Sequence, residues 1–464
     1  MEGVSQTEDL VERARRTRIV VIGGGIAGLV AAHECARFGF GVTLVEQRAE
    51  LGGGIAAAEL DGLTVDVGAM ELSPGLAPLI DELGLSAQVE DALPGARWVA
   101  GPAGAGPLPE QELLGIPANP WAPEVRRLIG WRGAWRAFVD RLRPPLTIGH
   151  ERRLATLVRT RMGERVVERL VAPVSVGVFG IHPDRVDVDI AAPGLNQALT
   201  RVGSLAGAVA HELPERPAPR RTLTGGMGAL VAALRERLDD LAADVRTEAP
   251  ADGIARTPAG WAVTVAGETI AADAVIVATG EPAARRLLAG HVPALDGPGI
   301  SPAPVDSVTL VVDAPALDAA PRGHAVYPVP GAATALAVTH LTATWAWLAR
   351  AAGPRRHVVR VDLPASEADP VRLAAREAET LLGVPLGPVR AAHVEPRERA
   401  LPGSVVDSPA PALRSAVGAL PGLAIAGAWV TGSGLAAAAG GAVAEAGRLR
   451  HALLWGDEPD GDDD

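Results

Sequence analysis

Lysine is absent from the 464 residues, so all 43 positive charges are arginine. That bias follows overall composition and carries no functional meaning of its own. The chain has one cysteine, Cys35, so no disulfide can form within it, which fits a reducing, cytoplasmic compartment. Only 3% of residues are aromatic and one is tyrosine, Tyr327, so any pocket role for a tyrosine falls to it. Positive charge is also in deficit: the net charge of -12 excludes a nucleic-acid backbone as partner, because such binding needs concentrated cations. Met1 to Thr17 contains no apolar run of the kind that a secretory leader needs. Leu423 to Ala444 carries no charge, yet it is built from Ala and Gly and broken by Thr431-Gly432-Ser433-Gly434. It reads as strand, turn and helix rather than a membrane span. The ten histidines are scattered without ligand spacing, so no metal site is expected, and no Ser/His/Asp arrangement is visible.

A chain of this length exceeds one hydrophobic core and implies two or three lobes. Arg18-Ile19-Val20-Val21-Ile22 suits a buried parallel strand. Gly23-Gly24-Gly25-Ile26-Ala27-Gly28 follows, then a helical stretch to about Arg37 and a second strand, Val42 to Glu46. From about Pro94 to Asn196 helical periodicity dominates, with proline breaks at Pro117, Pro120, Pro144 and Pro145. Strand patterns return at Trp261 to Val265 and Ala274 to Ala278. Three more runs, Val308 to Val312, Ala335 to Thr339 and His357 to Val361, imply a second sheet.

The glycine pattern has the full context of a dinucleotide site: strand, glycines, helix, strand, and an acidic residue closing the unit. Gly23 permits the tight turn, Gly25 lets backbone approach a pyrophosphate, and Gly28 lets helix pack on strand. The helix N-terminus supplies free N–H groups and a positive dipole end. Glu46 stands where a carboxylate accepts from ribose hydroxyls, which disfavours a 2′-phosphate and therefore NADP. Leu51-Gly52-Gly53, just past Glu46, is the continuation of FAD rather than NAD enzymes. Ala426-Gly427-Ala428 through Gly434-Leu435 would set a second helix N-terminus beside the flavin ring, where it favours negative charge on reduced flavin.

Further motifs occur in order: Pro107-Leu108-Pro109 with Gly115-Ile116-Pro117, Pro173 to Gly180, Ala192 to Asn196, Leu223 to Met227, and Gly427-Ala428-Trp429 to Leu435. With Arg18 to Glu46, these make the chain resemble the protoporphyrinogen/coproporphyrinogen oxidase family of monoamine-oxidase-like flavoproteins, in its actinobacterial coproporphyrinogen III form. The resemblance implies an α/β fold: a Rossmann-like FAD-binding domain interleaved with a mixed-sheet substrate domain and a helical insert domain. Its implied boundaries are 15–75, 222–295 and 417–452 for the FAD domain, and 93–198 for the insert. The substrate domain takes 76–92, 199–221 and 296–416, with disordered tails at 1–14 and 453–464.

The resemblance also implies a reaction. Coproporphyrinogen III, and on the same logic protoporphyrinogen IX, would lose hydride to flavin N5 in two-electron steps, with molecular oxygen as final acceptor and hydrogen peroxide released. No catalytic side chain is then required. FAD contacts carried over by position are Gly23, Gly24, Gly25, Ile26, Ala27, Gly28, Glu46, Gly53, Gly54, Gly68, Ala69, Met70, Glu71, Ala251, Ala428, Ser433, Gly434 and Leu435. The aromatic residue and arginine common after Asp66-Val67-Gly68 are replaced by Ala69 to Pro74. Arg97, beside Trp98, is therefore the candidate for binding propionates, with Tyr327 as the one pocket tyrosine. A desaturase-type relative and a flavin-binding homologue without turnover stay open as alternatives.

Trp121 to Arg143 holds three tryptophans and six arginines against Glu124 and Asp140. That composition suits peripheral contact with the inner membrane face, but the favoured expectation is a lobe with its tryptophans inward and arginines in water. Handover of product to a ferrochelatase is left open as well.

Overall fold

The computed structural model describes residues 2–142, 151–214, 219–295, 304–365, 369–398, 410–432 and 434–456. Helix α1 (Glu2–Arg16) precedes strand β1 (Arg18–Ile22), helix α2 (Ile26–Ala36) and strand β2 (Gly41–Val45); a hairpin follows, β3 (Ala57–Leu60) and β4 (Leu63–Asp66). Next come strands β5 (Arg97–Gly101) and β6 (Gly104–Pro107) and helices α3 (Pro123–Phe138) and α4 (Ala172–Phe179). The remaining named elements are β7 (Asp244–Arg246), β8 (Ala274–Val277), β9 (Pro304–Asp313), β10 (Ala325–Pro328), β11 (Ala337–His340), β12 (Arg356–Pro364), α5 (Pro370–Leu382), β13 (Val389–Glu398), β14 (Leu423–Ile425) and α6 (Leu435–Trp455).

One sheet runs β7-β2-β1-β8-β14 with every pair parallel. Such sheets are covered on both faces, which is why β8 reads Ala-Val-Ile-Val and is buried throughout. Helix α2 is buried along its whole length beneath α6 and helix Gly228–Asp240. The small residues of α2 and α6 allow that close approach, since Ala and Gly add no side-chain bulk between axes. Cys35 sits in this core, where burial pushes its thiol up to about 12 and makes it inert.

The second sheet runs β13-β9-β12-β11-β10-β5-β6, antiparallel except where β10 meets β5. Val308, Val326, Val338 and Val361 face α5 and form its apolar side. The register aligns Arg97, Ala325, Thr339, Arg360, Thr309 and His393 in one transverse row on the other side. Ala337, Asp362, Ser307 and Glu395 make the next row. Strand alternation thus separates an apolar face from one rich in ionisable groups.

Several expectations need correction. Residues 97–107, assigned to the helical insert, are the last two strands of the second sheet, turning at Gly104 with φ +108°. Two strands of four or five residues carry too short a period to stand out from helical neighbours. Residues 205–212 form a helix in the insert's core rather than part of the substrate domain. The 1–14 tail is not disordered: α1 spans most of it, with Ala14 buried and Arg13 donating to the Leu454 carbonyl at 2.5 Å. At the other end α6 continues to Trp455. Pro144, Pro145 and the acidic run after Gly456 lie outside the described residues.

Helix α3 breaks at Gly130, whose φ of +74° splits it into two segments. The break resets the helical phase. Gly133, Ala134 and Ala137 turn inward, while Trp131 and Trp135 are 67% and 60% exposed, against the expectation of inward tryptophans.

Candidate functional site

The glycine loops of the first sheet are brought together by backbone bonds. Gly52 N–H donates to the Gly24 carbonyl at 2.8 Å, and Gly25 bridges Gly52 in parallel. Ala69 N–H donates to Gly54 O at 2.8 Å, which adds the Gly68–Ala69 turn to the same wall. Gly23 has φ +109°, and a side chain on Gly28 would collide with the Gly23 carbonyl oxygen. Glu46 is buried; its Oε2 accepts from Gly24 N at 2.6 Å and its Oε1 from Arg48 N at 2.9 Å. Glu46 N–H donates to Arg246 O, and Ala249 N–H to Glu46 O, so the strand that begins at Ala251 starts beside it.

These residues fit a dinucleotide. Gly25, with φ -72°, begins α2 without a side-chain cap, leaving the first-turn N–H groups for a pyrophosphate. The nearest atom to a Cβ on Gly25 would be Gly53 Cα at 3.7 Å, and Gly54 has open space on the Cβ side. Space of that shape along a glycine-lined wall suits phosphate groups. At the far end Gly434, φ +106°, starts the 21-residue α6, again uncapped by a side chain. Ala428 and Leu435 pack with Ala69 on one core cluster, which joins this end to the first. Ser433 lies outside the described residues. Met70 packs instead against the cluster around Trp345, and the Glu71 carboxylate is committed to Arg220.

Arg97 and Tyr327 lie on the same side of neighbouring strands, and around them stands a group the sequence did not single out. Arg97 pairs with the buried carboxylate of Glu112, which also accepts from Gly115 N–H and so pins the Gly115-Ile116-Pro117 turn. Burial opposes its charge, but Glu112 and then Tyr327 outweigh this and hold Arg97 above its ordinary value. Arg220 forks onto Glu71, with Nε to Oε2 at 3.0 Å, and stacks 5.6 Å from the Trp345 ring centre. Its Nη1 is buried and meets no hydrogen-bond partner among the described residues. Burial pushes the Tyr327 hydroxyl up, against the pull of Arg97 and Arg220. His324 is depressed by burial first and by Arg220 next.

Arginines distant in sequence reach the Gly68 turn. Arg360 of β12 donates to Gly68 O at 2.8 Å and to Asp66 O, while Arg397 of β13 donates to Val67 O. Asp66 in turn accepts the Met227 N–H on both oxygens at 3.0 Å. Burial raises Asp66 to about 6, against that hydrogen bond and Arg360. No local signal marks Arg220, Arg360 or Arg397, because their partners lie 149 to 330 residues away.

A family model described as flavin containing amine oxidoreductase matches residues 26–449. A curated coproporphyrinogen III oxidase of Propionibacterium freudenreichii is 28% identical over 66% of this chain, and the chain spans 65% of that protein's length. One from Mycobacterium tuberculosis is 32% identical over 59% of this chain and 61% of its own length. The chain thus spans less than two thirds of either relative. Among solved structures, an Exiguobacterium protein provisionally named protoporphyrinogen oxidase superposes with TM-score 0.81 at 23% identity, covering 95% of this chain and 99% of the other.

Proposed function

The chain belongs to the flavin containing amine oxidoreductase family, and on that premise we propose that it is an oxygen-dependent coproporphyrinogen III oxidase of haem biosynthesis. Bound FAD supplies a two-electron hydride acceptor; the protein supplies position, charge and exclusion of water. The observation that carries the reading is the cationic cluster beside the Gly68 turn. Arg220, with an unpartnered buried nitrogen, and Arg97 face the same interior as Tyr327. A substrate with several carboxylate arms meets that charge, and its apolar macrocycle meets Trp345 and the insert's core. The names of the Propionibacterium and Mycobacterium relatives support the same substrate. Molecular oxygen as final acceptor and delivery of product to a ferrochelatase belong to this proposal.

Membrane contact also belongs to it. Trp121 gathers Trp131, Trp135 and Phe138 with ring centres 5.7 to 6.3 Å away, and Arg126 stacks 4.5 Å over Trp131. An exposed aromatic and cationic patch on an acidic protein suits an anionic lipid surface. No helix among the described residues is long and apolar enough to cross a membrane.

Aerobic incubation with coproporphyrinogen III and, separately, protoporphyrinogen IX tests the oxidase reading through porphyrin fluorescence and peroxide. Rapid turnover, faster with the first substrate, is expected. A flavin-loaded protein that turns over neither would overturn it.

A further inference from the structure

A second opening lies on the same sheet face as Arg97 and Tyr327, farther along the strands. Alternation puts Val99 and Gly101 of β5, and Val329 just past β10, on the side that carries Arg97 and Tyr327. Together with α3 and α4 these residues enclose a cavity of about 370 Å³. Tyr327, nearer Arg97 on the same face, packs so tightly on α4 that any side chain at Gly177 would strike its ring. From Arg97 to Gly101 the strand advances roughly 13 Å, so the two polar regions are separate places along one sheet face.

The outer wall is built around a π-helical turn, Val167–Val171. Such turns recur at functional sites because they displace side chains from the regular helical surface. This one delivers Glu168 and Arg169 to the cavity. Arg169 is held in place by donating to the Leu128 carbonyl at 3.1 Å. Arg127 enters from α3 and has neither a hydrogen-bond nor an ion-pair partner among the described residues. Leu128, Ala172 and Val329 supply the apolar lining. Two guanidiniums over an apolar floor, one of them uncommitted, are the groups that bind a carboxylate on an alkyl arm.

We propose that this cavity is a second carboxylate site, in which Arg127 and Arg169 take an acid arm of an amphiphilic ligand. The identity of that ligand rests on the oxidase reading: the arm is a propionate of a tetrapyrrole. Glu168 opposes the arm and limits how tightly the ligand is held.

The test measures binding of coproporphyrin III and of its tetramethyl ester to the flavin-loaded protein by fluorescence titration. Arg127→Glu is expected to weaken the free acid by about tenfold or more and to leave the ester unchanged. Glu168→Gln is expected to tighten the acid by a few-fold, a change of opposite sign that a structural disturbance would not produce. Arg127 is exposed, and Ala103→Glu at the exposed rim serves as an independent charge reversal should the first variant fail to fold. Binding of the acid to wild type with all three variants unaltered overturns the cavity proposal and leaves the oxidase reading standing. Wild type that neither binds the acid nor oxidises the porphyrinogen overturns both.

Discussion

Arg360, in the middle of the second sheet, donates a hydrogen bond of 2.8 Å to the carbonyl oxygen of Gly68, 292 residues earlier on the turn beside the glycine loops. The same guanidinium reaches Asp66 O, so one side chain ties two carbonyls of the Gly68 turn to the second sheet. A fork that spans two carbonyls is a guanidinium property that an ammonium does not share.

Arg360→Met is therefore expected to loosen the Gly68 turn and weaken FAD retention by about tenfold, and Arg360→Lys is expected to restore little of it. Release of FAD followed by its fluorescence checks this. Retention equal to wild type in both variants would show that the turn holds itself.

Two glycines of the fingerprint should fail in different ways. At Gly25 the backbone is ordinary and a methyl group has room, so Gly25→Ala is expected to fold normally yet lose FAD to steric exclusion. At Gly28 a methyl group strikes the Gly23 carbonyl, so Gly28→Ala is expected to lower the apoprotein melting temperature outright. Thermal melts of both apoproteins beside flavin content separate the cases.

Removing Arg97 tests substrate binding only if its structural partner is handled too. Glu112 is buried, so Arg97→Ala leaves a carboxylate without its cation and is expected to cost about 3 kcal/mol of stability. Arg97→Ala with Glu112→Gln should recover most of that loss, as chemical denaturation would show. Only the double variant then reports cleanly on KM, where a rise with kcat little changed is expected.

Asp66 titrates near 6 when folded, above its ordinary value of 3.8. The stability it contributes is whole below about pH 4 and is lost as pH rises through 6. Asp66→Asn does not titrate. Its stability relative to wild type should therefore rise by roughly 2–3 kcal/mol between pH 4 and pH 8. Denaturation curves at the two pH values decide it; a constant difference would mean that Asp66 titrates alike in the folded and unfolded states.

What could be read from the sequence is local or strictly periodic. Residues 18–46 announced strand, glycine turn, helix and strand because each glycine answers a backbone requirement within the unit and Glu46 closes it. The second sheet was visible in the β-branched runs of β9, β11 and β12, and the helix after Gly434 in the small-residue stretch that forms it. Tertiary structure decided the remainder. The short strands β5 and β6 are defined by pairing rather than by their own pattern, and the outward tryptophans of α3 follow from a phase break at one glycine. Arg360 and Arg397 reach the Gly68 turn, and Arg220 joins Arg97, only through the packing of two lobes. Periodicity records which face of an element is buried. Which distant charge meets which carbonyl depends on how sheets register and stack, and that information exists only in three dimensions.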